Sequence, residues 1–460
     1  MDDFAHCYEM ESLSLGITAR KDVLEQLRRL GGGNHAELAA GGLFRTAQAL
    51  AAREAEEAKG DDDAEEPQWR IVLAGNSKEC FRNRFRNIQL VALSSAIVKS
   101  RLTGIYALEF PFNYLGEDQD EVELEHPDSE NAMNALNERP YLLEAAPAIA
   151  RLLQNTAVYT STIAEIDLNG NHFGAESCQL LCSSLMEAPT SLRRLSLRGN
   201  RLRVAGGHAI AALLASSVCS LQDLDVGNTE LEVENLIAIA SALRTNRSLH
   251  TLNLDNPVVR TMEEEAIQHI GKMLQVNETL TSLSLCKHQL TDYGAQVLAE
   301  HLLDNQTLQR LVLRANQIGS TGASAIAALL MRHDGLSELD LSANRIGDVG
   351  AAAFAKVLRH NTRPLTTLSL TSTYLTDDGL AAIAEACLQP RHPQVQRLTT
   401  LLLWGNDFDS RSNALFLELH DSRFAEFDVE TDFVPSHGDH GVQMAHRETQ
   451  RAKAFASPKR

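Results

Sequence analysis

One short pattern of apolar residues recurs along most of this 460-residue chain and restricts its fold more than any other feature. The pattern is L-x-x-L-x-L-x-x-N-x-L, and Leu192, Leu195, Leu197, Asn200 and Leu202 form a clear copy. Nine copies start at these residues: Ile163, Leu192, Leu221, Leu249, Leu280, Leu308, Leu336, Leu365 and Leu398. Successive starts are 28 to 33 residues apart. A nearly fixed period of this size is typical of a solenoid in which each repeat supplies one strand and one helix.

Two earlier copies start at Ile105, which fits the pattern well, and at Ile71, which fits it in part. The step from Ile105 to Ile163 is 58 residues, about two periods, so one repeat carries an insertion. Residues 117–138 supply this insertion, with nine acidic residues and no lysine or arginine. Carboxylates without counter-charges repel one another, so we expect the segment to be a loop outside the stack.

The pattern also predicts the structure of each repeat. Leu195 and Leu197 alternate with outward residues, which indicates a strand with one buried face. The asparagine that follows can satisfy backbone groups in a tight bend. Small and aliphatic residues at helical spacing come next, as in residues 206–215. We therefore predict an α/β leucine-rich repeat solenoid, a horseshoe with parallel strands on its concave face and helices on its convex face.

Three regions are expected along the chain. Residues 1–66 would form an N-terminal helical cap and an acidic linker, since an open solenoid end exposes apolar surface. Residues 67–420 would form the leucine-rich repeat domain of about eleven repeats. Residues 421–460 would be a C-terminal extension that is partly flexible, because the chain is polar from about Pro435 onward.

Composition excludes several classes of function. The chain has no apolar run long enough to cross a bilayer, and its Met-Asp-Asp start lacks the features of a signal peptide, so no membrane partner is expected. Seven scattered cysteines favour reduced thiols and an intracellular location. The formal net charge of −19 argues against nucleic acid as a partner, because phosphate backbones are also negative.

The sequence also lacks the common motifs of catalysis, including a phosphate-binding loop, H-E-x-x-H and paired C-x-x-C. We therefore expect no enzyme activity, no catalytic residues, no cofactor and no metal. His288 replaces the pattern asparagine in one repeat. A local variant of the turn is favoured there, while a partner contact and a metal ligand stay open as alternatives.

The concave face is the expected binding surface, and other proteins are the expected partners. We predict partner contacts by charged residues and one tryptophan that point outward from the strands: Arg198, Asp255, Arg310, Arg314, Glu338, Asp340 and Trp404. As an exposed residue, Asp340 should change stability by under ~0.5 kcal/mol when replaced by alanine. For Trp404, an alternative is that the C-terminal segment folds over its ring.

Repeats of this length with full helices resemble the ribonuclease-inhibitor class of leucine-rich repeats, which includes activators of the GTPase Ran. Irregular segments resemble the leucine-rich repeat-containing protein 34 family more specifically; they are residues 73–76, 252–257, 263–274, 286–288 and 403–409. The resemblance implies a non-enzymatic protein of the nucleolus and cytoplasm. Proteins of this general kind also occur in ciliary axonemes.

The leading functional hypothesis is a non-enzymatic, intracellular protein-interaction scaffold, with an axonemal or a nucleolar assembly as its candidate setting. The alternative is a GTPase-activating regulator of the Ran type, which would act through loops at one edge of the arc. The corresponding loop positions are Asn228, Asn256 and Lys287, and no arginine finger is evident among them. A ribonuclease inhibitor fits less well, because the concave face is mixed in charge.

Overall fold

The computed structural model describes most of the repeat region and parts of both termini. The described residues are 2–15, 19–21, 23–24, 44–46, 69–73, 84, 86–100, 105–116, 145–156, 163–187, 190–259, 263–360, 365–389, 398–424, 429–438 and 441–448. They belong to two compact units, Met1–Leu231 and Glu232–Arg460. The acidic segment 117–138 lies outside the described residues, so its predicted loop stays a prediction.

Strands and helices alternate in unit 1, as the repeat pattern predicts. The strands are β1 (Phe44–Thr46), β2 (Trp69–Val72), β3 (Ile105–Glu109), β4 (Glu165–Asp167), β5 (Arg194–Ser196) and β6 (Asp223–Asp225). The helices are α1 (Asp2–Ser14), α2 (Asn87–Ser100), α3 (Ala145–Thr156), α4 (Ala175–Glu187) and α5 (Arg203–Ala215). Strand β1 is antiparallel to β2, and β2 to β6 are parallel neighbours in sequence order.

Unit 2 continues the alternation. Its strands are β7 (Thr251–Asn253), β8 (Ser282–Ser284), β9 (Arg310–Val312), β10 (Glu338–Asp340), β11 (Thr367–Ser369), β12 (Thr400–Leu402), β13 (Glu430–Thr431), β14 (Phe433–Gly438) and β15 (Gly441–His446). Its helices are α6 (Val233–Leu243), α7 (Glu263–Val276), α8 (Asp292–Leu302), α9 (Ser320–Leu330), α10 (Gly347–Arg359), α11 (Asp377–Leu388) and α12 (Ser410–Leu419), followed by a π-helical turn (His420–Phe424). Strands β7 to β13 are parallel neighbours.

The predicted fold is confirmed by where the pattern leucines lie. The strands β2 to β12 fall on the eleven predicted copies, and Leu195 and Leu197 are completely buried. Helices pack closely on their neighbours through small residues. A β-carbon on Gly322 of α9 would lie 2.9 Å from the Ala295 β-carbon of α8, so the contact needs glycine. The core therefore lies between the strands and the helices of successive repeats.

Where a repeat has the pattern asparagine, that side chain links the repeat to the one before it. The Asn200 side-chain amide donates to the Leu197 carbonyl in its own repeat (2.8 Å) and to the Leu168 carbonyl in the preceding repeat (2.9 Å). Its Oδ1 accepts from the Phe173 backbone N–H (3.0 Å). Asn344 makes the same contacts in unit 2. The asparagine thus satisfies buried backbone groups that would otherwise lack partners.

A second set of links runs between helix starts in unit 2. Asp292, in the first turn of α8, accepts from the Gly319 N–H (2.6 Å) ahead of α9. Asp348 accepts from the Thr376 N–H (2.8 Å) ahead of α11. A helix N-terminus carries unsatisfied N–H groups and partial positive charge, so a carboxylate from the preceding repeat stabilises it.

Part of the C-terminal segment, which was expected to be partly flexible, is folded, and residues 449–460 lie outside the described residues. Strands β14 and β15 form an antiparallel hairpin that contacts α12. Phe433 of β14 packs on Phe416 and Phe408, with ring centroids 4.9 and 5.4 Å apart. This aromatic cluster anchors the hairpin, although its strands are polar in sequence. Within the described residues, no helix is long and apolar enough to cross a membrane.

Candidate interaction surface

An ion-pair ladder occupies the outward sheet face of unit 1, which is formed by the side chains that point away from the helices. Arg70 contacts the Glu109 carboxylate, and its Nη2 lies 2.8 Å from Glu165 Oε2. The Tyr106 hydroxyl donates to the other Glu165 oxygen (2.9 Å). Burial raises the pKa of Glu109, and the nearby Arg70 guanidinium opposes that rise.

Arg194 extends this ladder to the next strand. Its Nη2 lies 2.9 Å from Asp223 Oδ2, and its Nη1 lies 3.9 Å from Glu165 Oε1. Burial raises the pKa of Asp223, opposed by Arg194. The predicted contact residue Arg198 lies beside the ladder, only 8% exposed, with Nη1 3.7 Å from Asp225 Oδ2. Arg198 is therefore a buried part of the sheet face, contrary to the expectation that it is exposed.

Asp255, a predicted contact residue of unit 2, is also buried. Its Oδ1 accepts from the Ser284 hydroxyl (2.6 Å) and from the Cys286 backbone N–H (3.0 Å). Burial, together with the negative charge of Asp255, raises the pKa of the Cys286 thiol to about 12. This carboxylate therefore holds two repeats together instead of projecting from the sheet.

Arg310 and Glu338 remain accessible on the outward sheet face of unit 2. They are paired in register on β9 and β10, with Arg310 Nη1 3.5 Å from Glu338 Oε2. Their side chains are 33% and 36% exposed. Arg314 follows Arg310 after the same strand and is half-buried. Among the predicted contact residues on these two strands, these three can reach a partner.

Asp340 is completely buried, so the expectation that its side chain is exposed is wrong. Its register neighbours on β9 and β11 are Val312 and Ser369, which are also buried. The three side chains therefore form a solvent-inaccessible row across this part of the sheet face. Burial raises the pKa of Asp340, while the bonds from Ser342 and the nearby arginines oppose that rise. Its Oδ1 accepts from the Ser342 N–H (2.8 Å), whereas its Oδ2 has no hydrogen-bond partner among the described residues.

Trp404 lies between the last repeat and the C-terminal hairpin. Its backbone N–H donates to both Asp432 carboxylate oxygens (3.1 Å each), and its ring centroid is 5.0 Å from that of His446 on β15. The C-terminal segment thus folds against the ring, which was the alternative expectation. Trp404 is nevertheless half-buried and lines a cleft of about 600 Å³.

His288 is a variant of the pattern asparagine. Its Nε2 lies 2.9 Å from the Leu254 carbonyl, the contact that an asparagine amide makes elsewhere. Full burial lowers its pKa to about 4, so the ring is neutral near pH 7 and Nε2 carries the donated proton. The structure agrees with the expectation that His288 is a local variant of the turn. The described residues contain no group of three or more side chains placed to hold a metal ion.

Comparison with known proteins agrees with this architecture. A family described as "Leucine Rich repeat" matches residues 276–299, 304–327, 336–355 and 362–384. The chain therefore contains leucine-rich repeats. The predicted resemblance to leucine-rich repeat-containing protein 34 is confirmed, because the mouse protein is 37% identical over 195 residues, which cover 42% of this chain and 46% of that protein.

Two further relatives belong to other groups of leucine-rich repeat proteins. Mouse "NACHT, LRR and PYD domains-containing protein 12" is 32% identical over 39% of the chain and 16% of its own length. Pig ribonuclease inhibitor is 27% identical over 28% of the chain and 34% of its own length. The chain spans less than half the length of each of these relatives.

Solved structures give more distant matches. The yeast Rad7 and Elc1 complex matches with a TM-score of 0.42 and 14% identity, covering 70% of this chain and 67% of that chain. The leiomodin-1 actin-binding site 2 matches with a TM-score of 0.24 and 23% identity, covering 27% of this chain and 70% of that chain.

Sequence reasoning missed two parts of this surface. The ladder was visible in part, because Glu165, Arg194 and Asp223 alternate in charge at one position of successive repeats. Arg70 lies just before the partly matching copy at Ile71, and Tyr106 is uncharged, so neither gave such a signal. The cleft also includes Asn413 and Met444, which lie outside the repeat pattern. Asn413 lies on α12, and the folded hairpin brings Met444 beside Trp404.

Proposed function

We propose that this chain is a non-enzymatic scaffold that binds other proteins through the outward sheet face of unit 2. The accessible pair Arg310 and Glu338 carries the proposal, with Arg314 beside it. These side chains extend from strands of regular repeats, so binding would need little ordering. Arginine is also among the residues that most often dominate the energy of a protein interface. Asp340 and Asp255 are buried, so they would stabilise this face without contacting the partner.

Affinity purification from the native cell type tests this proposal with a double variant, Arg310→Ala with Arg314→Ala. The expected result is a loss of most of the co-purified partner at an unchanged melting temperature. The matched control is Arg332→Ala with Arg359→Ala, which removes the same charge from exposed residues beside the helices. Equal partner recovery from both double variants would place the contact elsewhere.

We also propose that the scaffold works inside a large intracellular assembly, either nucleolar or axonemal. The similarity to leucine-rich repeat-containing protein 34 supports this setting only as an analogy, because the match covers 46% of that protein. Fluorescence imaging of the tagged chain in ciliated cells separates the two compartments. A signal outside both the nucleolus and the axoneme would count against both proposed settings.

Regulation of a Ran-type GTPase is the second candidate. Its support is that the loop residues Asn228, Asn256 and Lys287 share one left-handed backbone conformation, with φ of 56°, 55° and 57°. Ala315, Ala343 and Ser372 adopt the same conformation, so it marks an equivalent loop position in these repeats. A GTP hydrolysis assay with purified Ran tests this candidate, and an unchanged hydrolysis rate at saturating chain would eliminate it.

A further inference from the structure

We propose that the cleft beside Trp404 binds an arginine side chain of a protein partner. The Trp404 cleft is lined by Trp404, Gly405, Asn406, Asp407, Phe408, Asn413, Gln443 and Met444. Its volume of about 600 Å³ lies in the range of ligand-binding clefts and leaves room for one long side chain with its flanking backbone. This inference deepens the scaffold function proposed above and rests on it.

The apolar walls of the Trp404 cleft are held in place before any ligand enters. Phe408 packs on Phe416 and Phe433, with ring centroids 5.8 and 5.4 Å apart. Trp404 is held through its ring by His446 and through its backbone by Asp432. A fixed indole suits a guanidinium, because the planar cation stacks on the ring and is only weakly hydrated.

The polar groups of the Trp404 cleft are acceptors that match a cationic donor. Asp407 is exposed at the cleft and is the ionisable residue of the lining, so the lining carries negative charge. Asn413 is 8% exposed, and its Nδ2 donates to the Val442 carbonyl (2.9 Å). That bond fixes the orientation of the amide, since a flipped amide would set two oxygens against each other.

The remaining oxygen of Asn413 is an acceptor in need of a donor. Asn413 Oδ1 is shielded from solvent and has no hydrogen-bond partner among the described residues. Buried polar groups are normally hydrogen-bonded, so this oxygen marks a place where a ligand N–H improves the structure. Asn413 lines the cleft together with Gln443, which is exposed, so a ligand that enters the cleft approaches Asn413.

Arginine meets these requirements better than other side chains. Its guanidinium offers five N–H donors in one plane, enough to pair with the Asp407 carboxylate and the Asn413 oxygen while stacking on Trp404. A lysine ammonium is a strongly hydrated point charge and lacks the planar face. An acidic or phosphorylated side chain would meet the Asp407 carboxylate and no cation in the lining.

Trp404 fluorescence gives a direct test on the full chain. The protein has two tryptophans, so Trp69→Phe leaves Trp404 as the reporter. Three short peptides are titrated that differ only at the central residue, which is arginine, lysine or citrulline, the neutral isostere of arginine. We expect a saturable change with the arginine peptide and about tenfold weaker binding of the citrulline peptide, since the charge-assisted bonds are lost. Equal binding of citrulline, or tighter binding of lysine, would overturn the proposal.

Two variants locate the binding. Asp407→Asn and Asn413→Leu should each weaken the arginine peptide at least about fivefold, because the first removes the negative charge and the second removes the amide acceptor. Asp421→Asn is the matched control, since it neutralises another exposed carboxylate of unit 2 and should leave binding unchanged. If Asn413→Leu lowers the melting temperature, Asp407→Asn still decides the question. Unaltered binding in Asp407→Asn contradicts the proposed site.

The titration also separates this inference from the scaffold function. Partner loss in the Arg310 and Arg314 double variant, without any peptide binding, would leave the scaffold standing and reject the cleft. Arginine-peptide binding with full partner recovery in that double variant would keep the cleft and reject the proposed sheet face.

Discussion

The neutral, buried His288 predicts that acid weakens this protein at one identifiable position. Its pKa is lowered from 6.5 to about 4 by full burial. Between pH 6.5 and about pH 4, His288 is protonated in the unfolded chain and neutral in the folded chain. The free energy of unfolding therefore falls as the pH falls through this range. Replacing His288 by asparagine removes the titrating group and restores the repeat pattern. The amide can donate to the Leu254 carbonyl, as Asn316 does to Leu285 at 3.0 Å.

The size of the effect follows from the two pKa values. Between about pH 8 and about pH 5, a shift from 6.5 to about 4 costs the wild-type chain roughly 2 kcal/mol of unfolding free energy. His288→Asn does not carry this cost. The two proteins should therefore have similar stability at about pH 8, and the variant should be roughly 2 kcal/mol more stable at about pH 5.

Urea denaturation followed by circular dichroism at both pH values measures this difference. Comparing the two proteins at each pH cancels the other titrating groups, including the buried carboxylates whose pKa is raised. Exposed His360→Asn is the matched control and should follow the wild type at both pH values. If wild type and His288→Asn lose the same stability on acidification, the assignment of a buried neutral histidine is wrong.

Three further predictions concern unit 2. Leu313→Ala should lower the free energy of unfolding by ~2–5 kcal/mol in urea denaturation, because the side chain is completely buried and leaves a cavity; a loss below ~1 kcal/mol contradicts the assigned core. Asp340→Asn should raise the melting temperature at neutral pH and not at about pH 3, because burial raises the pKa of that carboxyl and the amide imitates its protonated form; a lower melting temperature at neutral pH contradicts this reasoning. Asp348→Ala should cost ~0.5–2 kcal/mol by the same denaturation assay, because the Thr376 N–H (2.8 Å) and hydroxyl (2.7 Å) lose their acceptor; exposed Asp421→Ala is its control.

The repeat pattern predicted the parts of the fold that depend on local chemistry. The apolar spacing located the strands, and the tight bend after each strand explains why asparagine recurs at positions such as Asn200 and Asn344. Both side chains bond to the backbone of two repeats. The same logic identified His288 as a variant of that turn, because an imidazole N–H can replace one amide N–H.

The candidate surface was harder to predict, because alternation gives the direction of a side chain and not its exposure. Asp340 points away from the helices as expected, yet it is buried among Val312, Ser369 and other neighbours. The hairpin was missed because its strands are polar and contain only one phenylalanine, Phe433, which packs in an aromatic cluster. The sequence contains that phenylalanine but does not reveal that it meets Phe408 and Phe416.

Asp432 has a consequence for how the solenoid ends. In the preceding repeats, each strand donates to backbone carbonyls of the next strand, as Leu370 does to Leu402 (2.9 Å). Strand β13 stops at Thr431, and the Asp432 carboxylate accepts the following donors from Leu403 (2.7 Å) and Trp404 (3.1 Å). A side chain thus replaces the strand that another molecule could have supplied. The Leu403 and Trp404 donors are therefore occupied and cannot pair with a strand of another molecule.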